Sequence, residues 1–576
     1  MKKKYLLALL WMVLIEGVGA LWLLMGMRFD AGRGHLINYA SMKYALAGLI
    51  GLALVALMVA IVTLMRNAQW GQRVSADLDI RLVGAKKRLF FIQGALLVVA
   101  LLLFEFFLLT YLAFPVPLRP AFLWAAIIAL QTWIILRIAY AKAYRERPDL
   151  LTRLKGKWNE WLPVQRRALA ILAVLGLVYF LFFIRFNLFP DPSGKFYLLG
   201  DEQVIYPDVV KIFVPQPGFA ATVQNVLGTW GWWYGYPYLP ISASVLIVPR
   251  LIFGSHFADQ IDLNVGLLRQ FVSVLPMVLA LMLAVYILTR YKSVLTSVGM
   301  FVFLMLVPGI VKINYQFWHP DSIILLLVLL TIFFLQKDKL RFGKYFYLAA
   351  LTCGLATAIK LFGLFFVLAI AGYLLAGLLV KKRSLGKLAL AGLYFILIMV
   401  GTIVITSPSL LVPYVTRTAL ASWTDQQQKI LLGPKGQDTA GLYETNLPNW
   451  LKYFGFHYMK AYFFYFAYFS LAAGSIWGSR KYLSRILLAW SVAISIFLVY
   501  FSAMKNFQYM LPVAVPLFIG ASLLAGITQG NGDSKWAGWL SKPITRKIVV
   551  GVTAAFFASQ LIINLVILYL FAVRGT

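Results

Sequence analysis

The feature that most constrains this chain is a series of long apolar runs. Each is long enough to cross the roughly 30 Å of hydrocarbon in a bilayer. The runs fall near residues 5–26, 43–65, 89–112, 121–140, 167–188, 264–289, 294–310, 319–336, 386–407, 460–478, 483–502, 508–527 and 547–573. A further apolar stretch, 345–380, is interrupted by Lys360 and Gly363, so we expect a short helical hairpin with its bend near Lys360. The sequence therefore predicts an all-α polytopic membrane protein with about 15 helical segments.

The composition excludes the soluble alternatives. Apolar residues make up 62% of the 576 positions and charged residues only 13%, whereas soluble proteins carry about a quarter charged residues. Such a chain cannot cover a water-facing surface, which rules out a soluble globular enzyme, a disordered protein and a fibre. The single cysteine, Cys353, excludes an intrachain disulfide framework and a multi-cysteine metal site.

The net charge of +33 is explained by topology. Cytoplasmic loops of membrane proteins are enriched in Lys and Arg, and a cytoplasmic N-terminus places most of the 53 basic residues in such loops. We therefore predict an integral protein of the plasma (inner) membrane whose first span is uncleaved. Membrane lipids are expected partners and nucleic acid is not.

The distribution of spans and loops predicts three parts. Residues 1–140 form a four-span accessory module, 141–166 a basic cytoplasmic linker, and 167–576 the catalytic membrane domain. Two long loops, 189–263 and 408–459, are expected outside the cytoplasm, and loops of such length are commonly functional.

An aromatic run from Trp230 to Tyr238 lies in the first of these loops. Aromatic rings concentrate at headgroup depth in membranes. We therefore favour an interfacial anchor over a direct contact with substrate.

Carboxylates in the first outer loop are the first candidates for chemistry. Asp201 and Glu202 are adjacent, and Asp208 follows them. Carboxylates at an outer membrane face can bind a cation, form a structural ion pair, or accept a proton from an acceptor hydroxyl. An acidic pair in a loop is, however, often only a solvated surface feature.

A second group, His319 and Asp321, stands where a long apolar helix begins. Asp321 suits the positive end of the helix dipole, and Pro320 suits a first helical turn. Capping of the helix and support of catalysis are both open for these two side chains.

Basic residues form the third group. Lys360 lies at membrane depth, where an ionisable residue suggests a function or a partner, unless its side chain extends to the interface. Arg417 and Lys505 are predicted on the same outer side. Several cations converging there could hold a phosphate.

These residues together resemble a GT-C-type integral membrane glycosyltransferase, close to the protein O-mannosyltransferase and aminoarabinose-transferase branch. The resemblance covers about residues 167–527. It rests on four features in order: Asp201-Glu202, His319-Pro320-Asp321-Ser322, the Gly354 to Gly363 hairpin containing Lys360, and Gln508-Tyr509-Met510-Leu511-Pro512.

The resemblance implies transfer of a hexose or pentose from a polyprenyl-phosphate donor to a hydroxyl of an extracytoplasmic acceptor. That acceptor would be a protein, a lipid or a polysaccharide. Asp201 would be the general base, with Glu202 beside it in binding or orientation. Lys360, Arg417 and Lys505 would face the donor phosphate. The pocket would be formed by His319, Asp321, Asp208 and Tyr509. No cofactor is implied, and since the acidic loop lacks a clear Asp-x-Asp, no metal site is predicted.

Two other classes of function are left open by the sequence. A polytopic transporter or lipid flippase would also carry ionisable residues in its spans, although no internal repeat is visible here. A non-catalytic scaffold for envelope assembly is the other alternative.

Overall fold

The structure is a computed structural model. It describes residues 3–26, 39–67, 69, 73, 86–112, 118–139, 152, 156, 158–188, 200–227, 234–315, 317–412, 416–418, 420, 421, 424, 425, 428, 446–502, 505–529 and 542–574. Within these residues the regular structure is helical and no strand occurs, which confirms the all-α prediction. Most of the predicted linker at 141–166 lies outside the described residues.

We number the α-helices in chain order. The first seven are α1 (Lys3–Gly26), α2 (Tyr39–Arg66), α3 (Lys86–Leu109), α4 (Leu118–Ala139), α5 (Pro163–Leu188), α6 (Gly200–Lys211) and α7 (Phe219–Leu227). The next seven are α8 (Tyr238–Phe253), α9 (Ile261–Leu268), α10 (Leu275–Thr289), α11 (Val294–Met305), α12 (Pro308–Asn314), α13 (Asp321–Asp338) and α14 (Lys344–Ile359). The last seven are α15 (Phe366–Lys381), α16 (Leu385–Thr406), α17 (Leu447–His457), α18 (Ala461–Ile476), α19 (Lys481–Ile496), α20 (Phe507–Ser522) and α21 (Pro543–Arg574).

Twelve helical segments of the described chain are long and apolar enough to cross a membrane. The count becomes thirteen if α11 and α12, which meet at a 65° bend, form one span. The expected number of about 15 was higher because it included α13, α14 and α18, which are absent from these segments, and it omitted Tyr238–Asp259, which is among them. The polytopic architecture is therefore confirmed, and the exact count is approximate.

The chain divides into two compact units. The first comprises Met1–Glu160, Gln216–Gly228 and Pro408–Thr416. The second comprises Trp161–Pro215, Thr229–Ser407 and Arg417–Thr576. The functional division into accessory module, linker and catalytic domain stays a prediction.

The first unit is built on close packing of α1 against its neighbours. A Cβ atom added at Gly17 would overlap the side chains of Leu54 on α2 and Trp124 on α4, so a larger residue here would require these side chains to shift. Gln131 on α4 donates a hydrogen bond to Glu16 on α1. This bond satisfies one of the two oxygens of a carboxylate that is costly inside an apolar helix pair.

The second unit is organised around α20. In an 18-residue apolar window within Phe507–Ile527, 83% of the residues are buried. The helix contacts α10, α13, α18 and α19 as well as shorter elements. An apolar helix that is buried all round is the core of a bundle. Packing on all sides therefore holds the N-terminal end of this core helix in a fixed position.

The segment Tyr238–Asp259 corrects the predicted outer loop 189–263. It is helical and passes the length and hydropathy criteria for a span. Both of its ends nevertheless contact α6, which has only 12 residues. Tyr234 just before it donates to Asp201 at 2.9 Å, and Tyr206 donates to the Ala258 carbonyl at 3.2 Å. One short helix, α6, therefore contacts the chain at both ends of this segment.

The break predicted at Lys360 is confirmed. Helix α14 ends at Ile359, Lys360 is extended with φ −157° and ψ 137°, and a 3₁₀ turn, Leu361–Phe365, leads into α15. The extended residue projects its side chain away from the helix path. This places an ammonium group beside the start of α13.

Candidate functional site

Asp201 occupies the first turn of α6, where the helix dipole favours a negative charge. Its carboxylate accepts a hydrogen bond from the Tyr234 hydroxyl at 2.9 Å. The Nε2 atom of His319 lies 3.4 Å from the same Oδ2 atom. The side chain keeps 36% of its surface exposed. Asp201 is thus oriented by two partners and still reaches open space.

Tyr234 is held in place by the glycine that follows it. The Gly235 N–H donates to the Ile359 carbonyl at 2.9 Å. A Cβ atom at Gly235 would lie 1.5 Å from the Ala358 carbonyl oxygen, so no other residue permits this approach. The Tyr234 ring is buried, and its hydroxyl also contacts His319 Nε2. The interfacial-anchor interpretation is therefore wrong for Tyr234 to Tyr238, while 228–233 lie outside the described residues.

His319 lies at the centre of the site. Its backbone N–H donates to Ser273 Oγ at 3.1 Å, and its ring stacks on Phe317 with centroids 4.8 Å apart. The Nδ1 atom pairs with Asp321, and the opposite ring nitrogen faces Asp201 and Tyr234. The imidazole therefore bridges two carboxylates.

Lys360 completes the arrangement. Its ammonium group donates to Asp321 Oδ1 at 2.8 Å and lies 4.6 Å from the centre of the Tyr509 ring. Asp321 is fully buried, whereas Lys360 retains 14% exposure. We call Asp201, Tyr234, His319, Asp321 and Lys360 the polar chain. Its two ends, Asp201 and Lys360, are the members that reach the surface.

The electrostatics of the polar chain keep Asp201 ionised. Burial raises the pKa of this carboxyl, but the hydrogen bond and charge of His319 lower it. Tyr234 and Lys360 lower it further, and the net pKa is below the usual value for aspartate. Burial and the Asp201 and Asp321 carboxylates raise the pKa of Tyr234 well above its usual value, so this hydroxyl stays a donor.

The environment of Glu202 differs from that of the adjacent Asp201. Arg269 donates to its two oxygens at 2.9 and 2.6 Å, and the Trp318 N–H donates to Oε1 at 2.8 Å. The side chain is fully buried. Glu202 therefore does not face an acceptor. Its hydrogen bonds join α6 to Arg269 and to the residue that precedes His319, and its role in binding or orientation stays a prediction.

The other candidates are placed as follows. Lys505 is buried beside Trp450, with its ammonium group 5.8 Å from the ring centre. Asp208 lies further along α6, and burial raises its pKa while Lys211 opposes that shift. Arg417 is exposed. Among the described contacts of the polar chain, none involves Asp208, Arg417 or Lys505.

Metal ligation has no ready site in the described part of the chain. There, no three His, Cys, Asp or Glu side chains are arranged to hold an ion. The carboxylates of the polar chain are engaged by His319, Lys360 and Tyr234.

Three residues of the site were missed by sequence reasoning: Tyr234, Arg269 and Ser273. Arg269 carried a signal, since an arginine inside an apolar run calls for a partner. Arg269 and Ser273 belong to a π-helical turn, Arg269–Val274, which puts both on the face that meets Glu202 and His319. Such turns recur at functional sites.

The close approach at Gly235 gives a first prediction. We expect Gly235→Ala to lower the free energy of unfolding by about 3 kcal/mol, because the new methyl group overlaps the Ala358 carbonyl and displaces Tyr234. Thermal unfolding of the purified protein measures the loss. The control is Gly299→Ala, where a Cβ atom meets nothing within 4 Å. Equal stability of the two variants would contradict this account of the loop.

The model of glycosyltransferase family 87 matches residues 240–443. The matched region contains Arg269, His319, Asp321 and Lys360, while Asp201 and Tyr234 lie before it. No curated protein matches the chain, and no solved structure matches it. The family match supports a membrane glycosyltransferase.

Proposed function

We propose that this protein transfers a sugar from a polyprenyl-phosphate donor to a hydroxyl of an acceptor, with Asp201 as the general base. One observation carries the proposal. An ionised carboxylate and an ammonium group are the surface-reaching ends of one polar chain whose middle is buried. The transfer needs a base for the acceptor and a cation for the leaving phosphate.

The reaction follows from these two ends. The acceptor hydroxyl gives its proton to the Asp201 carboxylate as its oxygen bonds to the anomeric carbon. The bond from that carbon to the phosphate oxygen breaks, and its electron pair stays with the lipid phosphate. Attack opposite to the leaving group inverts the anomeric carbon. A base within about 3 Å of the hydroxyl is required.

The donor phosphate is assigned to the Lys360 end. A phosphate is already a good leaving group, so charge stabilisation matters more than protonation. Lys505 belongs to the segment that leads to Tyr509 and lies against Trp450. Trp450 lines an apolar cleft with Phe454, Leu498 and Met510. Arg417 stays a predicted phosphate ligand.

The side of the membrane and the branch are part of the same proposal. The distribution of Lys and Arg favours an extracytoplasmic site in a plasma membrane, with the N-terminus in the cytoplasm. The order of the four sequence features favours the protein O-mannosyltransferase and aminoarabinose-transferase branch. The acceptor would then be an extracytoplasmic protein, lipid or polysaccharide.

The direct test supplies the purified protein with polyprenyl-phosphate hexoses and pentoses together with envelope extract as acceptor. We expect one donor to release lipid phosphate and to yield a glycosylated product in mass spectrometry, and Asp201→Asn to yield neither. Movement of the donor across vesicles without a covalent product would instead identify a transporter or flippase. If neither sugar transfer nor movement of the donor is observed with any donor, the non-catalytic scaffold is the remaining function.

Tyr234 provides a prediction on pH dependence. Its hydroxyl is among the groups that lower the pKa of Asp201. A base with a lowered pKa stays active as the pH falls, until the pH reaches that lowered value. We expect Tyr234→Phe to raise the pKa of Asp201, so the transfer rate declines at a higher pH than in the wild type. Because the lowered pKa lies below the usual aspartate value of 3.8, rate profiles that extend below pH 4 measure the displacement, and coincident profiles in that range would contradict the hydrogen bond's role.

A further inference from the structure

A second cationic site lies in the second unit, away from the polar chain. A cavity of about 300 Å³ is bounded by the turn after α10 and by the turn between α13 and α14. Its described lining includes four cations and no acid: Arg290, Lys337, Lys339 and Arg341. Four like charges around one cavity repel each other unless an anion joins them.

Unusual backbone geometry brings these cations together. Arg290 has φ 50° and Lys339 has φ 53°, both in the left-handed region that side-chain-bearing residues rarely adopt. The nearby acid, Asp338, is buried. Its oxygens accept hydrogen bonds from the Phe342 and Gly343 N–H groups at 2.8 and 2.9 Å. This carboxylate shapes the turn and does not line the cavity.

The cavity lies at the opposite end of α13 from the polar chain. Asp321 begins this helix and Lys339 follows its last residue. Eighteen residues of α-helix are about 27 Å long, close to the roughly 30 Å of hydrocarbon in a bilayer. The cavity is therefore at the depth of the other lipid headgroup layer.

Aromatic walls also suit headgroup depth. The Lys337 ammonium lies 5.2 Å from the Phe333 ring centre and 4.9 Å from that of Tyr345. The positive-inside tendency accounts for basic residues in these turns. It does not require them to surround a cavity with aromatic sides.

We propose that this cavity binds the headgroup phosphate of an anionic phospholipid. Basic cavities between helices at a membrane face bind such headgroups, and each basic residue near an anionic surface contributes roughly a fivefold gain in affinity. The position at the end of the spans favours a lipid over a soluble phosphate, which shares the same chemistry.

The test compares two charge-matched variants of the full chain. Arg290→Gln with Arg341→Gln removes two charges from the cavity. Lys381→Gln with Lys387→Gln removes two exposed charges, one from the last residue of α15 and one from the first turn of α16, both outside the cavity. Native mass spectrometry measures binding of phosphatidylglycerol, phosphatidylcholine and sn-glycerol 3-phosphate. We expect the arginine variant to bind phosphatidylglycerol about 25-fold more weakly, and the control to bind it like the wild type.

Three outcomes would overturn the proposal: equal binding by the arginine variant and the wild type, an equal loss in the control, or equal wild-type affinity for phosphatidylcholine. Equal affinity for sn-glycerol 3-phosphate would identify a soluble phosphate site and would overturn the lipid assignment. If the arginine variant does not fold, Lys337→Gln with Lys339→Gln tests the same cavity. The readout is lipid binding, so it is independent of sugar transfer.

Discussion

Asp201→Asn is expected to abolish sugar transfer while leaving the donor bound. The amide keeps the shape of the side chain and can still accept the hydrogen bond from Tyr234. It cannot take a proton from the acceptor hydroxyl. A positioned base contributes roughly 10² to 10⁴ in rate, so we expect kcat to fall by about that factor. Single-turnover assays give the rate, and titration of the donor gives its Kd.

The matched control is Asp262→Asn. Asp262 is an exposed aspartate in the first turn of α9, so the chemical change is the same and the polar chain is untouched. Its rate should equal that of the wild type. A wild-type rate in Asp201→Asn would place the base elsewhere, and an equal loss in the control would indicate a general effect of charge.

The membrane architecture could be predicted from the sequence because a segment that lies in lipid must be apolar along its whole length, and this is visible in the sequence. Every backbone group must bond within its own helix, so a span needs a continuous apolar run, as in Pro163–Leu188 and Pro543–Val573. The break at Lys360 was predictable for the same reason, since a charge interrupts the run. These features depend on neighbours in the chain alone.

The error at Tyr238–Asp259 shows where that reasoning fails. Pro240, Pro249 and Arg250 interrupt the apolar pattern, so the segment was predicted as part of a loop. The helix nevertheless forms, and its position depends on tertiary contacts, here with α6 through Tyr234 and Tyr206. Hydropathy does not contain that information.

The site was predictable in part. Asp201, His319, Asp321 and Lys360 stand out because acids, imidazoles and ammonium groups are rare in an apolar chain. Their connection through Tyr234 could not be foreseen, since it depends on Gly235 meeting a carbonyl more than a hundred residues away. The role of Glu202 likewise depends on a π-helical turn that no sequence pattern specifies.

The buried pair of Glu202 and Arg269 leads to the second large prediction. Both side chains are almost fully buried and joined by two hydrogen bonds. Removing one partner of such a pair leaves an uncompensated charge, which costs about 3–5 kcal/mol. We expect Arg269→Met to lower the free energy of unfolding by about that amount. Thermal unfolding in detergent measures it, and the exposed pair of His256 and Asp259 provides the control through Asp259→Asn, which should have little effect.

A double variant separates the charge from the packing. Glu202→Gln removes the stranded charge and keeps an amide oxygen for the Trp318 N–H. Combined with Arg269→Met, it should restore most of the stability, because two neutral side chains carry no ionic desolvation cost. Transfer activity should be restored together with stability. We propose that Glu202 takes no part in a catalytic step and only holds the helix turn that carries Asp201. A double variant whose loss equals the sum of the two single losses would show that the pair is not coupled, and that α6 is positioned by other contacts.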